Sequence, residues 1–103
     1  MPDHAGREEH LSKKLSDIWI TSGDQIPAGG YVICGTWGDT SIILVKLSDR
    51  LEIEWRRSYD VRTKGQVVFA DVRVAEDGGF FVLFRNLFHR GLLKTDSAGL
   101  MAR

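Results

Sequence analysis

The chain has 103 residues, 43% hydrophobic and 27% charged, with 14 lysines and arginines balancing 14 aspartates and glutamates. That length suits one domain around one core. A net charge of zero argues against a strongly basic nucleic-acid binder and against bulk attraction to anionic lipid.

The first ten residues, Met-Pro-Asp-His-Ala-Gly-Arg-Glu-Glu-His, contain no apolar h-region, so no signal peptide is expected. From Arg7 to Asp17 the apolar positions Leu11 and Leu15, with Ile18 beyond, follow helical spacing, and Glu9 precedes Lys13 by four residues. A short N-terminal helix lying against the sheets is predicted within residues 1–16. From residue 17 onward the chain reads as strands separated by glycine-rich turns. Strand signals fall at 17–26, 31–37, 42–48 and 51–57, then at 66–75, 80–85 and 90–95, with a shortened strand at 100–103. Pro27-Ala28-Gly29-Gly30 and Glu76-Asp77-Gly78-Gly79 supply the positive φ of tight turns.

These strands repeat. Gly29-Gly30-Tyr31-Val32-Ile33 superposes on Gly78-Gly79-Phe80-Phe81-Val82 at an offset of 49, and Ile18-Trp19-Ile20 on Val67-Val68-Phe69. After a one-residue shift, Leu44-Val45-Lys46 falls on Leu92-Leu93-Lys94, and Ile53 on Met101. The chain is therefore read as one all-β domain, residues 17–103, made of two four-stranded antiparallel meanders at about 17–65 and 66–103. Ile42-Ile43-Leu44-Val45 and Phe80-Phe81-Val82-Leu83-Phe84 are apolar on both faces and predict sheets covered on both sides. Leu51, Ile53 and Trp55 alternate with Glu52, Glu54 and Arg56, the pattern of a half-exposed edge strand.

The segments Gly29-Gly30-Tyr31-Val32-Ile33-Cys34-Gly35, Ile43-Leu44-Val45-Lys46-Leu47 and Leu51-Glu52-Ile53-Glu54-Trp55 resemble a bacterial propeller-forming repeat. Its pattern runs aspartate-Gly-Gly-Tyr-Ile-Val-Ala-Gly, then Leu-Val-Lys-Leu-Asp, then Gly-Asn-Val-x-Trp. Asp77-Gly78-Gly79-Phe80 and Leu92-Leu93-Lys94-Thr95-Asp96-Ser97-Ala98-Gly99 resemble it in the second copy. Pro27-Ala28 and Arg50-Leu51 depart from its turns. The resemblance implies propeller blades and carries no catalytic residue. Two blades cannot close a ring that generally needs four to eight. Association of three or four copies is expected, with a β-sandwich or closed barrel within one chain as the alternative.

In a meander the loops alternate between the two ends of the sheet. One end then gathers Arg56, Arg57, Arg62, Lys64, Arg85 and Arg90 against Asp39 and Asp60. The other gathers Asp24, Asp49, Glu76, Asp77 and Asp96 against Arg50. Trp37, Tyr59, Phe88 and His89 accompany the basic end. Trp37, Arg56, Arg57, Tyr59, Arg62, Lys64, His89 and Arg90 thus form the candidate ligand-binding set, for an anionic ligand or an acidic protein surface. The opposing reading is that charged loops only solubilise the fold.

Catalytic and metal signals are weak. His4, His10 and His89 lack ligand spacing, so no metal or cofactor is expected. Asp39-Thr40-Ser41 has no base beside it, and Asp77 and Asp96 sit where aspartate serves its own turn. Gly29-Gly30 and Gly78-Gly79 link strands rather than cradle phosphate. Cys34 is the only cysteine, which excludes an internal disulfide and suits a buried thiol in a reducing, cytoplasmic setting. The expected function is a non-enzymatic, self-associating binding module. The alternatives are a small enzyme with a site at the subunit interface and a nucleic-acid binder using the basic end.

Overall fold

Alternating or continuous apolar runs, punctuated by glycine, build the strands and tight turns of the described residues. The computed structural model describes residues 13–38, 41–61, 67–86 and 89–101. It contains two antiparallel sheets. The first has the order β1 (Trp19–Gln25), β2 (Tyr31–Trp37), β3 (Ser41–Leu47) and β4 (Ile53–Asp60), and the second the order β5 (Phe69–Val74), β6 (Phe80–Arg85) and β7 (Arg90–Thr95).

Strand register repeats between the units except at a bulge in β1, before which Trp19 stands opposite Thr36 as Phe69 stands opposite Arg85. Asp24 lies opposite Val32 as Arg73 lies opposite Phe81. Tyr31 faces Leu47 as Phe80 faces Thr95, and Cys34 faces Leu44 as Leu83 faces Leu92. The turns repeat as well. Ile26 N–H donates to the Gly30 carbonyl and Ala75 N–H to that of Gly79; Ser48 N–H donates to Glu52 as Asp96 N–H donates to Leu100. A Cβ at Gly30 would collide with the Leu47 carbonyl oxygen, and one at Gly79 with that of Thr95. Glycine is required at both because the turn folds back onto the neighbouring strand.

The second unit departs from four strands. After β7 only an isolated bridge, Thr95 to Met101, stands where β4 begins in the first unit, opposite Leu47 at Ile53. The fourth strand expected at 100–103 is therefore a single bridge among the described residues. Nor do the two sheets close into a barrel. β4 also runs to Asp60, three residues beyond the expected end, because alternation continues through Arg56, Arg57, Ser58 and Tyr59.

One face of each sheet forms the main core. Val32, Cys34, Ile42, Leu44 and Tyr59 of the first sheet pack with Ala70, Val72, Phe80, Val82 and Leu93 of the second. The Trp55 and Phe80 rings meet edge to face, 6.0 Å between centroids. On the other face of the first sheet, Leu15 and Ile18 cover Ile43, Val45 and Leu47. Lys13 and Lys14 are helical, and most of the predicted N-terminal helix lies outside the described residues. Both faces of β3 are covered, as its pattern predicts. β6 is covered by a second sheet on one face only, and Phe81 and Leu83 on its other face are exposed. Among the described residues no helix is long and apolar enough to cross a membrane.

Candidate functional site

The contact between the sheets is polar at its β1–β5 seam. Thr21 Oγ1 donates to the Ala70 carbonyl at 2.5 Å and Ser22 Oγ to Asp71 Oδ1 at 2.6 Å. Val72 N–H donates to Ser22 Oγ at 3.2 Å, and Val74 N–H to Asp24 Oδ2 at 3.0 Å. Side chains of β1 thus satisfy alternate donors along the edge of β5, which would otherwise be buried without partners. Residues 49 or 50 apart in the chain meet along this seam.

Repeat mates do not face each other across the core. The Val32–Cys34–Leu44 face of the first sheet packs on the Phe80–Val82–Leu93 face of the second. The mates of Phe80, Val82 and Leu93 are Tyr31, Ile33 and Val45, on the other face of the first sheet. Unlike faces therefore meet, and each unit presents one of each kind. The second unit's Phe81, Leu83 and Leu92, mates of Val32, Cys34 and Leu44, remain 39%, 49% and 64% exposed, whereas those mates are 0%, 1% and 0% exposed.

Phe69 extends this uncovered stripe, Asp71 stands on it opposite Leu83 and pairs with Arg73, and Arg85, Arg90 and Lys94 flank it. On the first unit a groove of about 610 Å³ opens beside Gly23, Tyr31, Ile33 and Leu47, with Leu15 as one wall. Those four are the mates of Val72, Phe80, Val82 and Thr95, all buried in the second unit.

The predicted basic end is not one site. Arg56 and Arg57 lie mid-strand and point to opposite faces of β4. Arg56 grips Asp17 with two bonds, Nη2 to Oδ2 at 2.6 Å and Nη1 to Oδ1 at 3.2 Å. Arg57 lies 5.5 Å from the Trp55 ring centroid and donates from Nε to the Ala98 carbonyl at 2.5 Å. Tyr59 is buried at the sheet contact and donates its hydroxyl to the Gly99 carbonyl. Trp37 and His89 are exposed near loops, and Arg90 opens β7. Arg62 and Lys64 lie outside the described residues. Charge read as loop is thus partly strand, and the two sides of β4 separate it.

The acidic turns are occupied locally. Asp49 accepts from Gly30 N–H at 2.7 Å, Asp77 from Gly79 N–H at 2.8 Å and Lys94 Nζ at 2.9 Å, and Asp96 from Ala98 and Leu100 N–H, each at 2.9 Å. The Lys94 ammonium, with the Gly79 amide, holds the Asp77 carboxyl below the usual range. Among the described residues no three His, Cys, Asp or Glu side chains gather around a possible metal position.

Burial pushes the Cys34 thiol up to about 11 and the Tyr59 hydroxyl up to about 12. At neutral pH both therefore stay protonated and make poor nucleophiles. Phe81, Leu83, Leu92 and Arg85 were absent from the predicted binding set. The signal that finds the three apolar residues is the repeat offset, which maps each onto a buried position of the first unit.

The fold and surface define a two-sheet all-β protein with a duplicated strand register and one uncovered apolar face. No known protein family, curated protein or solved structure matches the chain.

Proposed function

We propose that the chain is a non-enzymatic interaction module that binds copies of itself head to tail, completing a propeller-like assembly. Three copies supply six blade-like units and four supply eight, within the range in which such rings close. One observation carries this reading: the exposed Phe81–Leu83–Leu92 face is the repeat mate of a face already buried in the same chain.

The same rotation that takes the first unit onto the second carries this face onto the Gly23–Tyr31–Ile33–Leu47 groove of the next copy. Covering half-exposed side chains of this size contributes about 1 kcal/mol each. Of the cations beside the stripe, Arg73 and Lys94 are held by Asp71 and Asp77, which leaves Arg85 and Arg90 as its free positive charge. Leu15 and Ile18 leave the β1–β2 side of that face accessible, so the N-terminal segment forms part of the receiving surface.

Sedimentation of the parent and of Leu83→Asp is the test. The parent is expected as a discrete oligomer and Leu83→Asp as a folded single chain. A parent sedimenting as one chain at micromolar concentration removes the reading.

A further inference from the structure

Two of the chain's three tryptophans stand in water: Trp19 is 75% and Trp37 54% exposed, whereas Trp55 packs on Phe80. An indole combines a large apolar area with a single N–H donor, so leaving two uncovered forgoes much of the burial that stabilises a fold. Both line one cleft of about 520 Å³, bounded by residues 16–19, 36–38 and 67–68. The bulge in β1 sets Trp19 opposite Thr36, so indole and hydroxyl share one face. Gly38, at a φ of 65°, turns the chain directly after Trp37. No residue of this cleft lines the groove beside Gly23 or belongs to the open stripe.

Ser16, Asp17 and Thr36 supply the polar side chains of the lining. Among the described residues, the Ser16 and Thr36 hydroxyls bond nothing within the chain. Asp17 is the sole charged residue lining the cleft, and Arg56 neutralises it through two bonds. The lining therefore offers no free cation to hold a phosphate or carboxylate and no free anion to hold an ammonium.

A fitting ligand carries apolar faces for the indoles and many hydroxyls for the polar side chains, without net charge. Pyranose rings with equatorial hydroxyls meet all three demands. Their axial C–H bonds make the ring faces apolar, while the hydroxyls at the rim both donate and accept. The cleft also falls within the range of small-ligand sites, about 300–1,000 Å³.

We propose that this cleft binds a neutral oligosaccharide of equatorially substituted pyranose rings. Trp19 and Trp37 stack on ring faces, and Ser16, Asp17 and Thr36 take hydroxyls. Arg56 fixes the Asp17 carboxylate, whose remaining lone pairs accept from the sugar.

The test titrates the full-length chain with cellotetraose and with tetra-N-acetylchitotetraose, read by calorimetry and by the emission of the exposed indoles. Binding of at least one sugar is expected, with emission shifted to the blue and affinity unchanged by salt. Trp19→Ala and Trp37→Ala each weaken it about tenfold or more. Trp37→Phe and Thr36→Val keep strand-forming side chains, so their weaker binding reads the site even where an alanine variant loosens the fold.

Failure of both tetrasaccharides to bind overturns the proposal, as does binding that survives loss of either indole. Binding of a single-stranded oligonucleotide through Trp19 and Trp37, tighter than either sugar, assigns the cleft to nucleic acid instead. Loss of self-association in both alanine variants assigns the indoles to a second copy and overturns the proposal as well.

Discussion

Leu51 and Gly99 occupy the same place in two matching turns: Leu51 N–H donates to Ser48 and Gly99 N–H to Asp96, with φ of 63° and 80°. Leu51 is the one non-glycine residue with positive φ among the described residues. The left-handed conformation costs an L-residue about 1–2 kcal/mol. Leu51 offsets this by packing against the cluster that Leu15 and Ile18 form with β3. Leu51→Gly should therefore change stability by less than about 1 kcal/mol, strain relief cancelling lost burial. A cost above about 2 kcal/mol in denaturant unfolding contradicts this balance.

Gly99 has no such latitude. A Cβ there would lie 2.7 Å from the Trp55 ring and 2.8 Å from Arg57 Cδ, in addition to the φ penalty. Gly99→Ala is expected to destabilise by about 2–3 kcal/mol, through strain and displacement of Trp55 from Phe80. Unchanged thermal unfolding would show that this turn does not clamp the two sheets.

Tyr59 ties β4 to the same turn through its hydroxyl and the Gly99 carbonyl. Tyr59→Phe leaves that carbonyl without its phenolic donor and should cost about 1–2 kcal/mol. Equal stability of the variant would mean that water replaces the hydroxyl.

Alkaline stability follows from two buried protons. Cys34 is raised from 9.0 to about 11 and Tyr59 from 10.0 to about 12, both chiefly by burial. Above their ordinary values the unfolded chain releases protons that the folded chain retains. The contribution is fully present below about pH 9 and is lost as pH rises through 11 to 12. Unfolding free energy should fall steadily across that window. A Cys34→Ala, Tyr59→Phe chain should show a shallower fall, and identical slopes would contradict the assignment.

At acid pH the sign reverses. The Arg56 guanidinium holds the Asp17 carboxyl below its ordinary value, so that pair stabilises at neutral pH and is lost as pH falls through the lowered value. Backbone amides around Leu15–Ile18 should therefore exchange faster in Asp17→Asn than in the parent at pH 7. Equal exchange would mean that Leu15 and Ile18 hold the segment unaided.

Turn chemistry and spacing made most of the strand layout legible. Gly29-Gly30 and Gly78-Gly79 occupy matching turns, and the offset of 49, then 48, reappears in the strand register. Cys34 is buried because it lies on the core face of β2. Arg56 and Arg57, expected at the very end of a strand and counted with its loop, lie mid-strand because β4 runs on to Asp60; one reaches out to Asp17 and the other in to Ala98. The uncovered face could not be read from composition, since Val32 and Phe81 hold equivalent apolar positions and only packing tells them apart.

The mass of the parent chain in solution, by light scattering across a micromolar dilution series, tests the central claim most directly. A stable integer multiple of the chain mass, lost in Leu83→Asp, is predicted. A single-chain mass throughout, with Phe81, Leu83 and Leu92 left in water, would contradict it.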